Sequence, residues 1–134
     1  MPNVEIKHST FDAEPFVQFY TRWEDEILMF HPDFEIESTD LSTVLTLSVD
    51  GMLIGVFIYE IKGDQIHVEV DFVITAYRNL GIGKEFFEKE IVKFKAKGYT
   101  SIVAFGSHEI YIRYLLENGF KQKFERSSYY ELVL

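Results

Sequence analysis

The chain has 134 residues, with 13 Lys or Arg against 22 Asp or Glu, a net charge of −9 and no cysteine. That length suits a single domain, and a composition 47% hydrophobic and 16% aromatic can fill a packed core. Without cysteine there is no disulfide framework, thiolate zinc site or cysteine nucleophile, which agrees with a reducing, cytoplasmic setting.

The longest apolar run, residues 52–59, is far short of the roughly 20 residues that span a bilayer. The first seven residues lack the basic start and apolar stretch of a signal peptide, so neither membrane insertion nor secretion is expected. Charge is unevenly spread: residues 1–64 carry a net −10 and residues 65–134 a net +1. An acidic half repels nucleic-acid phosphates and tolerates cations such as amines; it also serves simply as a solvated surface.

In chain order, the alternation of Val4, Glu5, Ile6 and Lys7 predicts a first strand. Ser9 or Thr10 is expected to cap a helix with the apolar stripe Phe16, Phe19, Tyr20, Trp23, Ile27 and Phe30. His31-Pro32 stops it, because the residue before a proline resists the α region. Residues 33–42 are acidic and aperiodic and read as loop. Strands follow over 43–49, 52–61 and 65–75, joined by turns at Asp50-Gly51 and Lys62-Gly63-Asp64. In the third, alternation sets Ile66, Val68, Val70, Phe72 and Ile74 on one face and His67, Glu69, Asp71 and Val73 on the other.

The second half reads as helix 82–97 closed by Gly98, strand 99–105, a helix capped by Ser107 and closed by Gly119, and final strands 121–124 and 129–134. The expected fold is α/β (α+β): one domain over residues 1–134, with a mixed, mainly antiparallel sheet flanked by helices. The four histidines are scattered without metal-ligand spacing, so no metal is implied, and no G-x-S-x-G elbow is present.

Residues 73–84 link a strand to a helix through Gly81 and Gly83. Free amides at the positive end of a helix dipole suit a phosphate, although Gly-x-Gly alone equally makes a tight turn. In context the stretch resembles the acyl-CoA-binding motif of the GCN5-related N-acetyltransferase (GNAT) family, Arg/Gln-x-x-Gly-x-Gly/Ala, met here by Arg78, Gly81 and Gly83. A second segment, from Tyr114 to Gly119-Phe120, resembles the aromatic-x-x-x-x-Gly-Phe end of that family's next helix. The order of elements agrees over nearly the whole chain, least closely over residues 1–42.

The resemblance implies an acyl-CoA cosubstrate, acetyl-CoA by default, and acyl transfer to a primary amine of a small molecule or protein. The acidic first half favours a cationic acceptor. Backbone amides of Arg78, Asn79, Leu80, Gly81, Ile82, Gly83 and Lys84 are expected to hold the pyrophosphate. Val73 and Ile74 are expected to run beside the pantetheine arm, in a gap between splayed strands. His108 falls where the family often has a cofactor-contacting asparagine. The enzyme is expected to be a monomer or homodimer.

For the catalytic groups, Glu69 and His67 are the expected bases, His67 because its ordinary pKa lies near neutrality; the same polar row also fits a solvated sheet face. The family's usual general-acid tyrosine falls on Leu115, which cannot donate a proton, leaving Tyr111 or Tyr114 as acid or as packing aromatics. Two other readings of the fold stand beside the enzyme. One is an inactive module that binds or senses acyl-CoA, and the other an interaction domain without cofactor.

Overall fold

The computed structural model describes residues 3–134; Met1 and Pro2, where the segment inspected for a signal peptide begins, lie outside the described residues. The chain runs β1 (Glu5–Ser9), α1 (Glu14–Phe30), β2 (Ser42–Val49), β3 (Met52–Lys62), β4 (Gln65–Val73), a 3-10 turn (Thr75–Tyr77), α2 (Ile82–Ala96), β5 (Ser101–Phe105), α3 (Glu109–Glu117), β6 (Lys121–Gln122) and β7 (Tyr129–Val133). Among the described residues these strands form one sheet in the order β1-β2-β3-β4-β5-β7-β6. Only β4 and β5 run parallel; every other neighbouring pair is antiparallel. The expected mixed, mainly antiparallel sheet is therefore what forms.

The hairpin at Asp50-Gly51 has φ of 52° and 79°, both positive, as a two-residue turn matched to strand twist requires. Some expected boundaries move. Thr10 does not cap α1: its hydroxyl bonds the Asp12 side chain at 2.6 Å, and the helix starts after Ala13 with Pro15 in its first turn. At α3 the cap is His108 rather than Ser107, its Nδ1 accepting from the Ile110 amide at 3.1 Å.

Aromatic rings tie the layers together. From α1, Phe19, Trp23 and Phe30 meet Phe72 of β4 with centroids 6.2, 6.3 and 6.5 Å apart. On the other face Phe86 and Phe87 of α2 meet Phe57 of β3 at 4.7 and 6.0 Å. Phe87 also touches Tyr114 and Phe120, which docks α3 beside α2. Phe16, Phe57, Phe72, Phe86 and Phe120 are almost wholly buried, each contributing roughly 2–3 kcal/mol of hydrophobic stabilisation.

The alternation expected along β4 does not hold. Tyr59 opposes Val68 and Ile58 opposes Val70, so Glu69 is the extra residue of a β-bulge. Directly opposed residues share a face. Val68 lies with Tyr59 on the α2 side, whereas Val70 and Phe72 turn to the α1 side. The polar row splits as well. His67, opposite Glu60, stays on the α1 side, and there Glu69 accepts a hydrogen bond from the Ser42 hydroxyl. Asp71, opposite Phe57, faces α2 and α3.

Candidate active site

Strands β4 and β5 pair only from Gln65↔Ser101 to Val68↔Ala104. Beyond that point β4 continues to Val73 beside β3, while β5 turns with β7. The expected splay is present, and it leaves one edge of β4 without a strand. A groove of about 300 Å³ opens there. Asp71, Phe72 and Val73 form its β4 wall; Arg78, Asn79, Ile82 and Gly83 form its end at α2. Across from them stand Ile110, Tyr111, Arg113 and Tyr114 of α3.

The α2 end is built by Gly81, whose φ of 74° makes it the left-handed N-cap residue. The first bond into the helix runs from Glu85 N to Gly81 O at 3.0 Å. Among the described residues the amides of Ile82, Gly83 and Lys84 have no acceptor, the usual state of a helix start and one suited to an anion. Gly83 admits no side chain: a Cβ there would run into the ring of Tyr114.

The open edge of β4 is satisfied by side chains. His31, just past α1, places Nε2 3.0 Å from the Asp71 amide nitrogen and 3.2 Å from the Asp71 carbonyl oxygen. Arg78 Nε donates to the Val73 carbonyl at 2.8 Å, and its guanidinium lies 4.8 Å from the Phe30 ring centroid and 5.3 Å from that of Phe72. Burial lowers the pKa of Arg78, and Glu26 at 3.5 Å opposes that shift.

Asp71 is the group that sequence spacing did not single out. Burial raises its pKa to about 7, against a pull downward from the Tyr111 hydroxyl beside it. Asp71 Oδ2 and the Tyr111 and Tyr114 hydroxyls are all buried without a partner of regular hydrogen-bond geometry. Burial, then the charge of Asp71, pushes both tyrosines well above their ordinary value. Desolvation lowers His31 to about 4, so its ring is neutral near pH 7. The only sequence signal for Asp71 was its place in the polar row, which the bulge reassigned. His31 gave no signal beyond stopping a helix.

The expected site residues divide. Val73, Arg78, Asn79, Ile82, Gly83, Tyr111 and Tyr114 line the groove together. Leu80, Gly81 and Lys84 belong to the same turn without lining it, and Ile74 donates its amide to Ile54 O at 2.9 Å. His108 is spent on its capping bond and lies edge-on to Phe30 at 4.8 Å. His67 and Glu69 are not brought to the groove. His67 bonds Gln65 and is lowered by burial, then by Lys62 and Lys123; Glu69 is raised by burial, with Ser42 opposing. Leu115 is fully buried.

A larger depression, about 430 Å³, lies between β1, the Asp50-Gly51 turn and α2. Its lysines are engaged, Lys89 with Val4 O and Glu85, and Lys93 with Glu90. Among the described residues no group of acidic or histidine side chains could hold a metal, and no helix is long and apolar enough to cross a membrane.

No protein-family model matches the sequence, and no curated protein matches it. Solved structures do. The PaiA N-acetyltransferase of Thermoplasma acidophilum, in complex with coenzyme A, superposes with a TM-score of 0.73 at 16% identity, over 98% of this chain and 99% of that one. Tetrahymena GCN5 gives 0.73 at 10% identity, over 96% and 95% of the two chains. The IAA acetyltransferase of Bacillus cereus gives 0.70 at 15% identity, over 98% and 100%. The fold is that of the GNAT acyl-CoA N-acyltransferases.

Proposed function

We propose that this chain is an acyl-CoA-dependent N-acyltransferase, with acetyl-CoA as donor and a primary amine of a small molecule or protein as acceptor. The observation that carries this is the meeting, in one groove, of the open edge of β4 with the free amides at the start of α2. Ile82, Gly83 and Lys84 suit a pyrophosphate, and Arg113 at the rim adds a positive charge. Asp71 and Val73, whose main-chain groups face the open edge, offer partners for an extended, amide-bearing arm. For that arm to pair with β4, His31 and Arg78 must yield the groups they now hold.

The chemistry forms a C–N bond and breaks a C–S bond. The amine proton goes to a carboxylate, and the thiolate takes a proton from an acid. Asp71 suits the first role because it lines the groove, whereas Glu69 and His67 face the other side of the sheet. Tyr111 suits the second, with its hydroxyl beside Asp71 and Tyr114 next to it. The Asp71 amide, once released by His31, is a donor for the oxyanion.

A non-catalytic acyl-CoA-binding or cofactor-free module is the second reading. It is favoured by Leu115 at the usual acid position and by the hold of His31 on the Asp71 amide. Release of free thiol from acetyl-CoA, followed over a panel of diamines, amino sugars and lysine peptides, separates the two. Amine-dependent release supports the enzyme; acetyl-CoA bound without release under any amine supports the module.

A further inference from the structure

The unpaired stretch of β4 turns main-chain N–H and C=O groups toward the groove, and an extended, amide-bearing ligand can join such an edge as an added strand does. In this chain the groups of Asp71 are already taken. His31 Nε2 lies 3.0 Å from the Asp71 amide nitrogen and 3.2 Å from its carbonyl oxygen. The ring therefore meets the edge in either tautomer: it accepts from the N–H when its proton is on Nδ1, and donates to the carbonyl when its proton is on Nε2. An N–H has one proton to give, so His31 and an incoming acceptor exclude one another.

The hold is a side-chain one and can be released without disturbing the backbone that carries it. The His31 amide donates to Ile27 O at 2.8 Å, and its carbonyl accepts from the Phe34 amide at 3.1 Å. With φ −131° and ψ 69° the residue lies just past α1, so its side chain can turn while the helix stays intact. Among the described residues the ring makes no other hydrogen bond; it lies edge-on to Tyr111 at 4.7 Å. Arg78, the other side chain on this edge, is tied as well to Glu26, Phe30 and Phe72.

We propose that His31 is an internal competitor, a latch on the β4 edge that the amide-bearing arm of acyl-CoA must displace in order to bind. The proposal rests on the acyltransferase function given above and adds to it a control on donor entry. The latch treats the two ends of the donor differently. The amides of Ile82, Gly83 and Lys84 have no acceptor among the described residues, so a pyrophosphate meets them with nothing to open. The arm binds only the fraction of molecules whose edge is released. One hydrogen bond of ordinary net strength lowers that fraction, and with it the affinity, by about 2- to 12-fold.

The test is calorimetric titration of wild type and His31→Ala with CoA and with ADP, which carries the pyrophosphate but no amide arm. His31→Ala is expected to bind CoA about 2- to 12-fold more tightly and ADP with unchanged affinity. Equal CoA affinity in the two proteins, or an equal gain for ADP, overturns the latch. The wild-type protein gives a second reading that needs no variant. The ¹⁵N shifts of the His31 ring are expected to move on saturation with CoA and to stay in place with ADP. A ring unmoved by saturating CoA overturns the latch even where His31→Ala fails to fold. The outcomes separate the two ideas: CoA bound with the ring unmoved removes the latch and leaves the acyltransferase standing. CoA bound by neither protein removes the acyltransferase, and the latch with it.

Discussion

His31 Nε2 sits 3.0 Å from the backbone amide of Asp71, a residue forty positions further along the chain. A side chain from the end of α1 thereby takes the place of a missing strand on the edge of β4. The same contact sets an imidazole, neutral because buried, close to a carboxylic acid whose pKa burial raises to about 7.

These two groups pull stability in opposite directions with pH. His31 falls from 6.5 to about 4 on folding, so between those values the unfolded chain binds more protons and stability rises with pH. Asp71 rises from 3.8 to about 7, so the folded chain binds more protons and stability falls as pH climbs through that window. Each effect is on the order of 3–4 kcal/mol, and together they nearly cancel. Asp71→Asn removes only the second. Its stability relative to wild type should climb by on the order of 4 kcal/mol between pH 4 and pH 7. Urea unfolding at half-unit pH steps checks this.

The bulge makes a prediction about catalysis. Asp71→Asn should lower kcat by ~10²–10⁴, the usual worth of a positioned base, while Glu69→Gln changes kcat/KM only a few-fold. In wild type the rate should rise with pH through a midpoint near 7 and level off above it, as Asp71 loses its proton. Steady-state kinetics of the three proteins over pH 5.5–9 decide it. An equal loss in Glu69→Gln would return the base to the α1 side.

Gly55 fixes the end of β4 against β3. A Cβ there would lie 2.6 Å from the Phe72 carbonyl oxygen and 3.2 Å from Val73 Cγ2, and the first of these is backbone that cannot swing aside. Gly55→Ala should therefore cost ~1–3 kcal/mol, read as a lower urea midpoint at unchanged m-value.

Arg78 lines the groove and also has a structural role. Its bond to Val73 O and its packing over Phe30 and Phe72 secure the turn that leads into α2. Arg78→Ala should lose ~1–3 kcal/mol. Arg78→Lys should recover little of it, because an ammonium cannot bond the carbonyl and lie flat on two rings at once. Thermal unfolding of the pair measures both.

The sequence was most readable where one local pattern decides the outcome. The stripe from Phe16 to Phe30 needs only a helical period, Asp50-Gly51 only its turn chemistry, and Arg78, Gly81 and Gly83 only their spacing before a helix. It misled at β4, where alternation of residue types continues unbroken through Glu69 although the backbone bulges there. Tertiary pairing with Tyr59 and Ile58 sets that bulge, and nothing local marks it. One extra residue moved Asp71 into the groove and left Glu69 and His67 outside it. His31 was unreadable for a related reason: its partner is a backbone group, which carries no residue identity.

The most direct test of the proposed function is an NMR titration of ¹⁵N-labelled protein with coenzyme A and acetyl-CoA, feasible for a 15.7 kDa chain. Saturable shifts centred on the amides of Asn79, Gly81, Ile82, Gly83 and Lys84, together with the amide of Asp71 as His31 lets go, are the predicted result. Absence of any shift at millimolar ligand, or shifts confined to the depression beside Lys89 and Lys93, would contradict it.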